Sequence, residues 1–294
     1  MNNLEDWLRH LEGLHPKGQA GIELGLERIR RVKAALGQTQ HCPVIIVGGT
    51  NGKGSTCAYL ENIIDRAGYK VGCYTSPHLL AYNERVRVNG QPASDEALCD
   101  AFARVEAARR QAGDVALTYF EFGTLAALWL FERAGLDLAV LEIGLGGRLD
   151  AVNIVDPDVA VITTVDIDHT DWLGHDREAI GAEKAGIARA WKPLVLGEVD
   201  SPSSVLRHAY AIGANALRLG SDFFHEPIDS QRWRWREVGA ELELPSPALS
   251  APSQRANAAT AIAALRALPG EPVPDAAFAE GVAKAVLPGR LQSF

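Results

Sequence analysis

The segment Val44-Ile45-Ile46-Val47 runs directly into Gly48-Gly49-Thr50-Asn51-Gly52-Lys53-Gly54-Ser55. An apolar run, a glycine-rich turn and then a helical pattern is an arrangement that binds phosphate. Glycines allow a tight turn in which successive backbone N–H groups face one anion. The helix behind the turn adds the positive end of its dipole. Lys53 adds a full charge for the outer phosphates. The chemistry indicated is binding of the triphosphate of ATP with Mg²⁺, through Thr50, Asn51, Gly52, Lys53, Gly54 and Ser55. The spacing departs from the usual phosphate loop. Its first glycine would stand where Val47 is, and Gly54 separates Lys53 from the Ser55 hydroxyl. A glycine-rich turn that carries no ligand is the alternative.

Other residues have chemistry to offer and a plainer reading beside it. Glu142 lies inside the apolar run 138–143, where an unpaired carboxylate is costly to bury. At the end of a strand in an open α/β sheet it would face the ligand crevice, and its oxygens suit Mg²⁺. The plainer reading is a solvated strand-end acid. His169 follows a strand run at 159–165, among Asp166, Asp168 and Asp171, and a lone histidine there reads as structural or solvated. Ser76 reads as a turn or helix-cap serine. Lys184, on the helical stretch 177–190, reads as a surface lysine. Tyr119 and Phe120 open another helical stretch, 119–133, and suit core packing as well as they suit a ligand. Arg148 either offsets phosphate charge or forms a surface ion pair.

These groups need a scaffold. Residues 4–14 and 22–36 have the spacing of amphipathic helices. His15-Pro16-Lys17-Gly18 reads as the loop between them. Residues 55–67 read as a helix closed by Gly68. Strand runs stand at 70–75, 138–143, 159–165 and 194–196, with helical stretches between several of them. That alternation predicts an α/β protein with a mostly parallel sheet covered by helices on both faces. Past Gly197 the pattern weakens. Residues 233–244 have strand-like patches, which predicts a small peripheral β region, and 256–268 and 276–286 read as alanine-rich helices.

Composition narrows the class. There are 29 basic and 37 acidic residues among 294, a net charge of −8, which argues against a general nucleic-acid surface. Any anion site must therefore supply its own local positive groups. Cys42, Cys57, Cys73 and Cys99 lack CxxC spacing, so reduced thiols are expected rather than disulfides or zinc. The polar, acidic start has no apolar core of a signal peptide. No apolar run approaches the ~18 residues of a membrane helix. A cytoplasmic protein that does not engage membranes is expected.

The motifs together resemble the folylpolyglutamate synthases and dihydrofolate synthases, relatives of the Mur ligases. The loop at 49–55 matches theirs. In the same order follow Thr75-Ser76-Pro77-His78-Leu79 with Glu84-Arg85-Val86, Tyr119-Phe120-Glu121-Phe122-Gly123-Thr124, and Leu141-Glu142-Ile143-Gly144-Leu145-Gly146-Gly147-Arg148-Leu149-Asp150-Ala151-Val152-Asn153. Asp168-His169-Thr170-Asp171-Trp172-Leu173-Gly174 and Glu183-Lys184-Ala185-Gly186-Ile187 complete the set, and Gly25-Leu26-Glu27-Arg28-Ile29 is also similar. The likeness is greatest to the bifunctional bacterial type.

The resemblance implies a P-loop NTPase-like Mur-ligase central domain and an ATP- and Mg²⁺-dependent ligase. Such enzymes join L-glutamate to dihydropteroate or to folates through an acyl phosphate, with ATP cleaved to ADP and phosphate. A carboxylate is a poor electrophile, and γ-phosphoryl transfer makes it one that an amine can attack. The resemblance further implies catalytic roles for Lys53, Lys184 and His169, and a metal held by Ser76, Glu142 and His169. Lys184 matches a lysine that is typically carbamylated. Thr118, Tyr119, Phe120 and Glu121, with Leu149, Asp150 and Ala151, match segments that hold the pterin-bearing substrate. Asn257 and Arg290 match nucleotide contacts, although Arg255 stands where the family has a small residue or proline. Small molecules are the expected partners, and a monomer the expected state. Residues 1–287 are expected to form the ATP- and folate-binding domain, and 288–294 the start of a linker to a second domain that supplies much of the glutamate site. A Mur-type ligase acting on a cell-wall precursor and a non-catalytic nucleotide-binding fragment are the competing expectations.

Overall fold

The computed structural model describes residues 1, 3–15, 22–249, 251–270 and 272–287. Two helices lead, α1 (Leu4–Leu14) and α2 (Glu27–Leu36). Next come β1 (Val44–Gly48), α3 (Lys53–Arg66), β2 (Val71–Tyr74), β3 (Val86–Val88), β4 (Gln91–Pro92), α4 (Asp95–Gln111) and α5 (Tyr119–Ala134). The middle of the chain forms β5 (Leu138–Glu142), β6 (Val159–Ile162), α6 (Thr170–Leu173), α7 (Arg177–Ala185), β7 (Pro193–Leu196), α8 (Ser203–Ile212) and β8 (Asn215–Arg218). Last are β9 (Phe223–Pro227), β10 (Arg232–Glu237), β11 (Ala240–Pro245), α9 (Gln254–Ala267) and α10 (Asp275–Lys284).

The main sheet has the order β4-β3-β2-β5-β1-β6-β7-β8. From β2 to β8 every pairing is parallel, while β3 and β4 add an antiparallel edge. Its central strands read as unbroken apolar runs because both faces are covered. Successive side chains point to opposite faces, so Val44 and Ile46 join one core layer, and Ile45 and Val47 the other. Helices α1, α2, α4, α5, α7 and α8 bury their apolar residues in the first layer. In the second, α3, α9 and α10 are joined by a separate antiparallel sheet, β11-β10-β9. Burying one Ile or Leu contributes about 1.5–3 kcal/mol, so two such layers hold the strand ends in fixed positions.

Local signals explain the helix starts. Asn3 caps α1 by accepting from the Asp6 N–H at 2.8 Å, and Leu4, Trp7 and Leu11 form its buried stripe. In β10, Trp233 and Trp235 are fully buried and alternate with Arg232, Arg234 and Arg236 on the outer face. That period of two marks a sheet with one covered face. The Trp235 indole donates to Ala259 O at 3.1 Å, fastening the small sheet to α9.

The structure differs from the sequence expectations in several places. The helix expected over 22–36 starts only at Glu27, because the Gly25 N–H donates to Leu149 O and holds 22–25 against another loop. The strand expected over 159–165 ends at Ile162, because Thr163 and Thr164 leave the sheet to brace the glycine loop. Helix α7 stops at Ala185 rather than 190. Helix α4, capped by Ser94, was not foreseen, and neither was the continuation of the parallel sheet through α8 and β8 beyond Gly197. Arg290 and the linker expected at 288–294 lie outside the described residues. All four cysteines are free thiols. Among the described residues no helix is long and apolar enough to cross a membrane.

Candidate active site

The glycine loop leaves the C-terminal end of β1, at the centre of the sheet, and ends where α3 begins at Lys53. Open α/β sheets bind ligands at this end of their strands. Two glycines are required here. Gly49 has φ 142°, and a Cβ on it would collide with the Thr163 side chain. Gly52 has φ 88°, and a Cβ on it would lie 2.5 Å from Asn257 Oδ1. The loop is braced from β6: the Thr50 N–H donates to Thr164 O at 2.8 Å, the Asn51 N–H to Thr164 Oγ1 at 3.0 Å, and Thr163 Oγ1 donates to Asn51 O at 2.6 Å. Lys53 Nζ curls back onto Gly49 O at 2.9 Å and Thr50 O at 3.2 Å, which keeps the ammonium in the concavity. Gln254 donates to Ser55 Oγ at 3.2 Å and accepts from Asn257 and Tyr59, tying α9 to the first turn of α3.

A cavity of about 560 Å³ opens over this loop. Thr50 through Ser55 form its floor, Asn257 and Gln254 one wall, and Ser76, Pro77 and Glu142 another. Glu142 is only 4% exposed and ends β5, and the Ser76 N–H donates to its Oε2 at 3.1 Å. The solvated strand-end acid is therefore not what is observed. Glu142 and Ser76 offer hard oxygen donors beside Lys53. Among the described residues no group of three or more His, Cys, Asp or Glu is arranged to hold a metal.

A second cavity, of about 390 Å³, shares the Ser76-Pro77 wall with the first. Thr118, Tyr119, Phe120 and Glu121, at the start of α5, line it together with Leu149, Asp150, Ala151 and His169. Every residue expected to contact the pterin-bearing substrate is thus in one place. Several are also structural. Thr118 and Glu121 form a reciprocal cap, with Thr118 N–H to Glu121 Oε2 at 2.7 Å and Glu121 N–H to Thr118 Oγ1 at 3.2 Å. Arg28 donates to both Glu121 oxygens at 3.2 and 3.4 Å. Tyr119 is buried and Phe120 half-buried, stacked on Tyr74 at 5.9 Å.

His169 has a half-exposed side chain and a left-handed backbone, φ 49° and ψ 45°. That conformation is rare outside glycine and is found where a site demands it. It turns the chain into α6 beside the second cavity. Lys184 contradicts its reading as a surface lysine, being 3% exposed. Burial, and after it the charge of Lys53, lowers its pKa to about 8. Asp150 is buried and accepts the N–H groups of Leu145 and Val152, each at 2.9 Å. Burial outweighs those bonds and raises its pKa to about 7. Arg148 lines neither cavity and pairs with Glu183 at 2.8 Å, so the surface ion pair is what is observed. Reading the sequence did not single out Arg85 and Glu23, which line the second cavity, or Gln254, which lines the first, as site residues. Arg85 lines the second cavity with its guanidinium 5.7 Å from the Tyr119 ring centroid. Arg85 lies inside the matched Glu84-Arg85-Val86 segment, and Thr118-x-x-Glu121 is a readable capping box.

A parallel sheet with this loop on its central strand, and a neighbouring strand ending in a buried acid, defines a Mur-type ATP-binding domain. The Mur ligase middle domain matches residues 47–225. The chain is 52% identical over 291 residues to the dihydrofolate synthase/folylpolyglutamate synthase of Escherichia coli (strain K12), covering 98% of this chain and 66% of that protein. The solved structure of E. coli FolC in complex with DHPP and ADP matches with a TM-score of 0.92 at 50% identity, over 99% of this chain and 68% of that one. A bifunctional folylpolyglutamate synthase/dihydrofolate synthase with Mn, AMPPNP and L-glutamate bound matches with a TM-score of 0.89 at 47% identity, over 99% and 68%. The chain belongs to the dihydrofolate synthase/folylpolyglutamate synthase family, and it spans about two thirds of the length of these relatives.

Proposed function

We propose that this chain is the ATP- and folate-binding part of an acid–amino-acid ligase that joins L-glutamate to dihydropteroate, to folates, or to both. The observation that carries the proposal is the shared Ser76-Pro77 wall. It brings a phosphate-type cavity carrying Lys53 against a largely apolar cavity suited to a flat heterocycle. A substrate carboxylate placed at that wall meets the γ-phosphate of ATP held on the loop. The relatives' structures with DHPP and ADP, and with AMPPNP, Mn and L-glutamate, support the pairing of ligands.

Each residue then has a task. The loop N–H groups and Lys53 cradle the phosphates and offset charge that shifts toward the β–γ bridge as the bond breaks. Asn257, on the wall of the phosphate cavity, contacts the nucleotide, and Arg290, outside the described residues, is proposed for the same role by its motif alone. Ser76 and Glu142, on the wall of the phosphate cavity, would hold Mg²⁺, which screens the repulsion between phosphate and carboxylate; His169 lines the second cavity rather than the first and would reach the metal only across the shared Ser76 wall. Lys184 is buried and its pKa is lowered to about 8, so near neutral pH a larger share of it is the neutral amine than of an ordinary lysine, and that amine is the form that takes up CO₂ as a carbamate. Thr118 through Glu121 and Leu149 through Ala151 hold the pterin-bearing substrate by burial and alignment, since positioning is much of this chemistry. The reaction belongs to the cytoplasm, where ATP and folates are available.

Incubation of the protein with Mg-ATP, dihydropteroate and hydroxylamine tests the reading. A hydroxamate, formed only when all components are present, is the expected result. Nucleotide binding with no hydroxamate, in this chain and in the longer protein alike, would reduce it to a binding module. Replacing dihydropteroate with tetrahydrofolate separates the two acceptor classes.

A further inference from the structure

Behind the Ser76 wall lies an ion pair that lines neither cavity. Glu61 is buried on α3, the helix whose first residue is Lys53. Arg87 sits on β3, in the antiparallel edge of the sheet. Its Nε and Nη2 donate to Glu61 Oε2 at 3.1 and 2.8 Å. Its Nη1 reaches the other way, to Thr75 Oγ1 at 3.0 Å and Glu84 O at 2.7 Å. Glu61 also accepts the Gly90 N–H at 3.1 Å, which locks the carboxylate. Thr75 immediately precedes Ser76, whose N–H donates to Glu142. The Thr75 N–H is itself held by Arg85 O at 2.9 Å.

We infer that Arg87, anchored by Glu61, is a positioning residue that sets Ser76 at a fixed place relative to Lys53 and thereby assembles the metal donors over the phosphate loop. The inference rests on the reading of Ser76 and Glu142 as Mg²⁺ donors. A planar guanidinium spans the path because its donors diverge in a rigid fork, two toward the helix and one toward the loop. A lysine ammonium is a point donor on a flexible stem and cannot hold both sides at once. Without the fork, the Thr75–Pro77 turn keeps its bond to Arg85 O but loses its tie to α3.

The test is Mn²⁺ binding at fixed ADP, read by electron paramagnetic resonance, in wild type, Arg87→Lys, Ser76→Ala and the double variant Arg87→Lys/Ser76→Ala. Arg87→Lys is expected to weaken Mn²⁺ at least fivefold while metal-free ADP affinity changes less than twofold. In the Ser76→Ala background the Arg87→Lys change is expected to add little, because the donor it positions is gone. A second pair, Glu61→Leu/Arg87→Leu, removes both charges together, which proteins often tolerate without loss of stability. It too is expected to bind Mn²⁺ weakly. Wild-type Mn²⁺ affinity in the folded Arg87 variants would overturn the inference and leave the metal assignment standing. Wild-type affinity in Ser76→Ala, or no Mn²⁺ binding by the wild-type protein, would overturn both.

Discussion

Lys53 donates to carbonyl oxygens of its own loop, so its charge is available to a ligand without dismantling distant contacts. Lys53→Ala is expected to lower nucleotide affinity by roughly ten- to a hundredfold, the equivalent of about 1.5–3 kcal/mol for a charge-assisted bond. Isothermal titration with Mg-ADP measures it, and unchanged affinity would remove the loop from the site. Lys184 is the opposite case, a charge kept where folding does not want it. Its pKa is lowered to about 8 by burial first and by Lys53 second. Between that value and the unfolded pKa near 10.5 the unfolded chain binds more protons, so this group's contribution to stability rises with pH across the window and is lost as pH falls. Below about 8 the full cost of the buried ammonium applies, on the order of 3 kcal/mol. Lys184→Met is therefore expected to melt higher than wild type at pH 7 in bicarbonate-free buffer. The gap should narrow steadily from pH 8 and close only as pH passes about 10.5, while ligase activity is lost. A lower melting temperature at pH 7 would mean that the buried charge is well compensated.

Helix α5 works as one unit, because its first turn is both a cap and a cavity wall. Thr118→Ala removes the hydroxyl that accepts the Glu121 N–H and loosens the turn that carries Tyr119 and Phe120. A loss of about 1 kcal/mol in urea unfolding is expected. A higher KM for the pterin-bearing substrate should accompany it, with nucleotide affinity unchanged. If the KM stayed at its wild-type value, the cap would be purely structural. The small β9–β11 sheet depends on its tryptophans in the same way. Trp235 is fully buried and hydrogen-bonded to α9. Trp235→Ala should cost about 3–5 kcal/mol by opening a cavity, which a denaturation midpoint would register.

At the scale of the whole molecule, the phosphate cavity is assembled from several separate stretches of chain. Its floor rises from β1, its acid from β5, its serine from the chain beyond β2, and its far wall from α9. A ligand that bridges these parts opposes their separation. Saturation with Mg-ADP at about a hundred times Kd adds about 2.7 kcal/mol, which should raise the melting temperature by roughly 5 °C. The same ligand concentration should raise Lys53→Ala by no more than about half as much, because it stands at only about one to ten times that variant's weakened Kd. A shift equal to wild type in that variant would place nucleotide elsewhere.

The sequence by itself determined what is local. The glycine loop, the strands that flank it and the helices with regular apolar spacing were legible, because backbone freedom, capping and amphipathic period act within a few residues. So was the acid at the end of β5, since a charge inside an apolar run is visible in the run. Tertiary structure alone decided the rest. It brought Gln254 to Ser55, Arg28 to Glu121 and Arg87 to Glu61, contacts between segments far apart in the chain. It also took Lys184 out of water, left Arg148 on the surface with Glu183, and turned Thr163 and Thr164 from strand residues into braces for the loop. The reason is physical. A residue's burial and its partners depend on which distant segments pack over it, and a helical or strand period says which face is covered but not by what.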